Sequence, residues 1–357
     1  MAIRPPRFGP RRLNLRMIVF TVAVMFAGRA FAEPSETAAT DINQVDADFA
    51  LQGEFIGSVE VRPARFRQLA LQIRATGDGS FEAAQYAGGL PDRRKRQAAV
   101  QLIGKRYQDF LVLSGGPWAV LARGGYLLLV DRDGKRVGRL ERVERRSPTL
   151  GAKPLRNAIV LFDGTGTDQF INGRMTEDGL LMEGADFKPM FQDFNLHLEF
   201  MLPYMPKARD QGRANSGVYL QSRYEVQILD SFAVEPRNNG CGGLYRFRPP
   251  DTNMSLPPLT WQTYDIIFTA PRWASDESKL QNARVTVWHN GVIIHKDVEL
   301  PNKTGAGKPE GPTLLPIRLQ NHGNPVRFRN IWIIDRGAAP TPGFPVRRKE
   351  EAEADKG

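Results

Sequence analysis

Short apolar runs separated by turns rich in glycine and aspartate fill most of the chain. From residue 49 they recur at 49–56, 69–75, 81–86, 110–113, 118–121, 126–130 and 136–142, with the hairpin signals Gly77-Asp78-Gly79 and Asp131-Arg132-Asp133-Gly134 between them. This spacing predicts a small antiparallel β-domain over residues 45–150. A charged stretch from Arg145 to Lys153, with Pro148 and Pro154 and no apolar period, marks its end. Further strands are predicted at 159–162, 180–182, 196–201, 217–220, 224–229, 264–269, 284–289, 292–296, 316–320 and 328–334. Asn290-Gly291 joins two of them as a tight hairpin. No stretch has the length and 3.6-residue period of a crossover helix, so the second domain, residues 155–337, is expected to be two packed antiparallel sheets. The fold class read from this pattern is all-β.

One stretch departs from a purely structural pattern. In Tyr224-Glu225-Val226-Gln227-Ile228 the apolar residues alternate with Glu225 and Gln227, and the period of two in a strand sends the sets to opposite faces. Glu225 and Gln227 are then about 6.6 Å apart, a spacing that matches neighbouring hydroxyls on one sugar ring. Asp230 falls on the opposite parity, about 16 Å along from Glu225, and so is a poor partner for it.

The ends of the chain bear on where it works. Residues 1–32 combine six arginines with an apolar run from Met17 to Ala27 and an Ala30-Phe31-Ala32 ending, as in a cleaved signal peptide. The expectation is an exported bacterial protein, periplasmic, cell-surface or extracellular, with no membrane span after cleavage. Arg11-Arg12 leaves a twin-arginine route open. Loss of those six arginines lowers the formal net charge from +10 to +4, so the basic character belongs largely to the leader. No nucleic-acid motif accompanies the remaining basic clusters, and nucleic acid is not an expected partner. Cys241 is the single cysteine, which excludes an internal disulfide. Residues 33–44 read as a linker and 338–357 as a disordered, charged tail.

Five separated motifs carry a family resemblance: Leu161-Phe162-Asp163-Gly164-Thr165, Asn215-Ser216-Gly217-Val218-Tyr219, Tyr224 to Asp230, Asn290-Gly291, and Leu319-Gln320-Asn321-His322-Gly323 through Phe328-Arg329-Asn330-Ile331. In this order they resemble the 3-keto-disaccharide hydrolase family over residues 158 to 336. The resemblance implies a concanavalin A-like jelly-roll β-sandwich and a carbohydrate or 3-keto-glycoside substrate. It also implies cleavage of a glycosidic bond, by hydrolysis or by elimination and hydration. A non-catalytic carbohydrate-binding or surface-interaction module on the same sandwich is the alternative.

Such chemistry needs proton-transfer groups. Glu225 is the candidate base or acid. His322 is the second, sharing strand parity with Arg318 and Gln320, with a turn residue capping the strand beside Gly323 as the alternative. Asn215, Gln227 and Gln320 suit hydroxyl recognition, Tyr219 and Tyr245 suit packing on a sugar face, and Arg329 suits an oxyanion or a plain salt bridge. Trp261 reads as core. The four histidines make no metal-ligand spacing, and no cofactor is implied, with calcium on oxygen ligands left open.

Overall fold

The structure, a computed structural model, describes residues 38–92 and 100–337. The expected signal peptide, the first part of the expected linker, the Arg93 to Arg96 cluster and the expected tail lie outside the described residues. Among those described, no helix is long and apolar enough to cross a membrane.

Eight antiparallel strands close into a barrel: β1 (Gly53–Arg62), β2 (Arg65–Gly77), β3 (Ser80–Ala87), β4 (Val100–Tyr107), β5 (Phe110–Ser114), β6 (Ala119–Arg123), β7 (Tyr126–Val130) and β8 (Arg136–Val143). β8 pairs back onto β1, so no edge remains open. The interior is filled by alternate residues such as Phe55, Leu71, Ile73, Leu113, Leu129 and Leu140, all buried. Asp78 and both flanking glycines adopt positive φ at the β2–β3 turn, as their sequence demands. β4 has no counterpart in the sequence reading, because its residues are mostly exposed and its inward side offers only Leu102 and Gly104. The predicted strand at 49–56 instead starts as a short 3-10 turn, Phe49–Leu51, before β1.

The second part is a jelly-roll β-sandwich. Its strands are β9 (Ile159–Phe162), β10 (Phe170–Ile171), β11 (Leu181–Met182), β12 (Asp186–Phe187), β13 (Asp193–Met201), β14 (Ser216–Leu220), β15 (Tyr224–Ile228), β16 (Trp261–Thr269), β17 (Arg272–Trp273), β18 (Lys279–Gln281), β19 (Ala283–His289), β20 (Val292–Leu300), β21 (Arg318–Leu319) and β22 (Arg327–Gly337). One sheet has five strands in the order β10-β12-β21-β14-β15. The other has seven, β11-β22-β13-β16-β19-β20, with β9 also on β22. Leu196, Leu198 and Phe200 of β13 and Ile266 and Phe268 of β16 meet Val218, Tyr224, Val226 and Ile228 of the facing sheet in one core. Asn290 and Gly291 turn β19 into β20 with positive φ at both, as the dipeptide predicts.

Barrel and sandwich belong to one compact unit. Phe232 of the sandwich is fully buried in a small cluster with Ala70 and Ala84 of the barrel. Arg213 adds a polar tie: it pairs with Asp230 at 2.6 Å and donates from Nη2 to the Ala75 carbonyl of β2 at 3.1 Å. Both side chains are buried, so the pair holds only because each charge is met. Asp230 is thereby committed to structure, in line with its opposite strand parity.

Candidate functional site

The site grows out of the β14–β15 hairpin. Register sets Tyr219 opposite Glu225 and Gly217 opposite Gln227, so the core-facing residues Val218, Tyr224, Val226 and Ile228 leave these four on the outer face of the five-stranded sheet. Gly217 is a steric requirement: a Cβ there would lie 2.3 Å from Glu225 Oε1. The carboxyl occupies the space that any other residue would fill. β21 lies on the other side of β14 and brings Arg318 opposite Tyr219, with Gln320 just beyond the strand. The Gln320 backbone N–H donates to the Gly217 carbonyl at 2.9 Å, and its Nε2 donates to the Tyr219 hydroxyl at 3.3 Å.

Two loops cover this face, and the outward side of β15 is accordingly buried. Tyr245 donates its backbone N–H to the Glu225 carbonyl at 3.1 Å, and the Glu225 N–H donates to Thr304 Oγ1 at 2.7 Å. Gly307 fits against the Arg223 carbonyl so closely that a Cβ would come within 1.9 Å of it, which fixes the loop carrying Thr304 to the hairpin. Neither Thr304 nor Gly307 was legible as a site residue, since their segment has no strand period. Arg318, His322 and Arg246 are exposed, and Tyr245 is partly exposed.

The electrostatics single out Glu225. It is 1% exposed, and burial pushes its carboxyl up to about 7, with the Tyr219 hydroxyl only partly offsetting the rise. Burial likewise raises the Tyr219 phenol, helped by the nearby carboxylate. Three acceptor oxygens on this patch have no hydrogen-bond partner: Glu225 Oε2, Asn215 Oδ1 and Gln320 Oε1. A buried acceptor without a donor is costly, and three of them lie together on this patch.

The structure sorts the expected site residues into three groups. Glu225, Tyr219, Gln227, Asn215 and Gln320 share one face, and Tyr245 flanks it. Gln227 and Asn215 are already engaged with Gln211, Gln227 Nε2 donating to its Oε1 at 3.0 Å and Asn215 Nδ2 to its carbonyl at 2.7 Å, so the Asn215 oxygen rather than its amide N–H is free for a ligand. His322 stands apart from the expectation. β21 ends at Leu319, strand parity does not reach position 322, and His322 is an exposed turn residue beside Gly323.

Arg329 is not on this face at all. It lies on β22 in the seven-stranded sheet, where its Nε donates to Glu199 Oε2 at 2.7 Å and its guanidinium stacks 3.9 Å from the Trp261 ring centroid. Arg329 and Trp261 line a cavity of about 1350 Å³ on that side of the sandwich, and the salt-bridge alternative is the one realised. Cys241 is buried with Sγ 3.2 Å from the Tyr264 hydroxyl, and burial pushes its thiol up, which removes thiolate chemistry near neutrality. Among the described residues no group of three or more His, Cys, Asp or Glu side chains converges as a metal site.

The site is thus a protected carboxyl among unpartnered acceptors on an all-β sandwich. Residues 157–334 match the family profile of the 3-keto-alpha-glucoside-1,2-lyase-like domain, and the chain belongs to that 3-keto-disaccharide hydrolase family. Among solved structures, a candidate glycosyl hydrolase from Parabacteroides distasonis is 32% identical, with 50% of this chain and 84% of that one aligned and a TM-score of 0.46. A second from the same organism is 16% identical over 50% of this chain and 94% of that one, with a TM-score of 0.37. No curated protein matches the chain.

Proposed function

We propose that this is an exported enzyme that cleaves the glycosidic bond of a 3-keto-glycoside, with Glu225 as the proton-transfer group. The observation that carries the reading is a buried carboxyl held near 7 beside unpartnered acceptors, on the outer face of the β14–β15 hairpin. The leader-like first 32 residues support export.

A ketone at C3 acidifies the hydrogen on C2. Ionised Glu225 takes that proton, the C2–H electron pair forms an enolate through C3, and the enolate collapses to expel the C1 oxygen with its bonding pair. The leaving oxygen takes up a proton. Water then adds at C1 while C2 regains a proton, and the sum is hydrolysis. A carboxyl near 7 suits both halves, because it is half ionised at neutral pH and returns what it accepts. Tyr219, facing Glu225 across the strand pair, supplies an O–H for the developing enolate oxygen or the leaving group. Arg318, opposite Tyr219 and exposed, is a group that an entering substrate meets, and exposed His322 is the candidate second proton source.

Incubation of the purified chain with a panel of 3-keto-disaccharides, with and without added calcium, tests the reading by release of monosaccharide. Absence of release across the panel removes the enzymatic claim. Sugar binding that persists in Glu225→Gln without any turnover in the parent protein establishes the binding-module alternative instead.

A further inference from the structure

Glu225 has a tyrosine on each side. Tyr219 stands opposite it on β14. Along the other edge of β15, residues 242–245 run antiparallel to the strand, with Val226 bridged to Leu244. The Gln227 N–H donates to the Gly243 carbonyl at 2.9 Å, and the Tyr245 N–H donates to the Glu225 carbonyl at 3.1 Å. Leu244 is buried in the same core as Val226. One residue along, alternation therefore sets Tyr245 beside Glu225 on the outer face, at the spacing of about 5 Å between cross-strand neighbours. The Glu225 N–H, which regular pairing would give to the Tyr245 carbonyl, goes instead to Thr304 Oγ1 at 2.7 Å.

The two tyrosines are not equivalent. Tyr219 is buried, and its hydroxyl accepts from Gln320 Nε2 at 3.3 Å. Tyr245 is partly exposed, and its hydroxyl has no hydrogen-bond partner among the described residues. Packing holds its ring instead. A Cβ on Gly305 would lie 2.2 Å from Tyr245 Cδ1, so the loop that carries Thr304 rests directly on the ring, and the Arg246 guanidinium lies 5.4 Å from the ring centroid. The phenol is also close to the pair it flanks: burial and then the Glu225 carboxylate raise Tyr219, and Tyr245 adds to that rise. A fixed ring with a free hydroxyl beside a base is placed to give a proton to a substrate. His322 has no such tie, since its ring makes no hydrogen bond to Glu225 or to either tyrosine among the described residues.

We infer that Tyr245 is the acid that protonates the leaving C1 oxygen. This rests on the reading of Glu225 as the base and deepens it. Glu225 takes the C2 proton, the C1–O bond breaks with its electron pair going to oxygen, and that oxygen takes the Tyr245 hydroxyl proton, which leaves a phenolate and an unsaturated ketone. Water then adds at C1 and gives a proton to the phenolate, while Glu225 returns its proton to C2. Both groups end as they began. C1 is bonded to C2, so acid and base must be neighbours, as the cross-strand spacing makes them.

Tyr245→Phe tests the role, because it keeps the ring against Gly305 and removes only an unbonded hydroxyl. Its kcat/KM on a 3-keto-disaccharide, where a sugar alkoxide departs, is expected to fall about a hundredfold, against about threefold or less on an aryl glycoside of the same 3-keto sugar. His322→Asn, measured alongside, is expected to change both rates alike. An equal loss on both substrates in Tyr245→Phe, or no loss, overturns the role, and so does a leaving-group dependence that appears in His322→Asn alone. The reading of Glu225 fails separately: release that survives in Glu225→Gln, or no release by the parent protein from either substrate, overturns the base and takes the acid with it.

Discussion

Glu225 and Glu199 are both strand glutamates, each about as buried as the other, on the two outer faces of one sandwich, and their environments drive them in opposite directions. Glu225 rises to about 7 because burial finds little to oppose it. Glu199 meets burial as well, but hydrogen bonds from His197, Asn330, Arg329 and the Gly151 N–H outweigh it and hold the carboxyl down at about 2. His197 completes that network, its Nδ1 2.6 Å from Asp265 Oδ1 and its ring stacked 4.9 Å from Trp332. Burial opposes its charge, yet the two carboxylates raise its pKa overall. The segment following the barrel supplies Thr149, which donates to Asp265 Oδ2 at 2.7 Å, and seals this face. A satisfied carboxylate ties two parts of the fold together. An unsatisfied one is available for chemistry.

The comparison breaks most decisively at Glu225 itself. Glu225→Gln is expected to lower kcat/KM on a 3-keto-disaccharide by about a thousandfold or more, since a general base contributes on the order of 10² to 10⁴ and its loss is total here. The same substitution is expected to stabilise the protein at pH 8. With the folded value near 7 and the ordinary value at 4.5, the folded state holds the extra proton between them. Stability therefore falls as pH rises through that window, by at most about 3 kcal/mol, and the glutamine removes the cost. Urea unfolding at pH 5 and pH 8 checks the sign: equal pH dependence in both proteins means that Glu225 is not a strained group.

Glu199→Gln sharpens the opposite half. It is expected to destabilise the fold by about 3 kcal/mol, the usual loss when one partner of a buried charged network is removed, while turnover per folded molecule stays within a few-fold. Its pH windows also run the other way. Glu199 contributes stability above pH 4.5 that is lost as pH falls toward 2, whereas the raised His197 contributes stability below 6.5 that is lost as pH rises through its folded value. An activity loss comparable to that of Glu225→Gln would place the chemistry on the wrong face.

How much of this contrast was legible depends on what a single strand can report. The alternation of Glu225 and Gln227 against Tyr224, Val226 and Ile228 was readable, as were the Asn290-Gly291 turn and the two sheets, because period and turn chemistry are local. Arg329 was misplaced for a definite reason. Parity says that a residue points outward, but a sandwich has two outer faces, and only the pairing of β22 with β13 decides which. His322 failed at the strand end, where a two-residue β21 gave parity no length to act over. The burial of the outward face was hidden as well, because the covering loops that carry Tyr245 and Thr304 are aperiodic and approach from far along the chain.

Tyr219→Phe is the next smaller effect and separates relay from packing. Removal of the hydroxyl takes away the one interaction that lowers the Glu225 carboxyl, so the ascending limb of kcat/KM against pH is expected to move above 7, with a loss of about tenfold to a hundredfold at its plateau. A lower plateau with an unmoved limb assigns Tyr219 to substrate packing alone.

His322→Asn is expected to cost least, within about tenfold, and to leave stability unchanged, because the ring is exposed and its segment is anchored by neighbours rather than by the ring. Those neighbours are specific: Asn324 Oδ1 accepts the Asn215 N–H at 2.7 Å, and the Gln320 carbonyl accepts from Ser216 Oγ at 2.7 Å. The variant thus tests chemistry without disturbing position. If the imidazole protonates the leaving oxygen, the loss appears in kcat/KM for poor leaving groups and vanishes for a good one such as an aryl glycoside, since a departing aryloxide needs little protonation. A uniform loss of a thousandfold across leaving groups would instead make His322 the equal of Glu225, and the distinction between a buried, strained carboxyl and an exposed imidazole would no longer describe where the work is done.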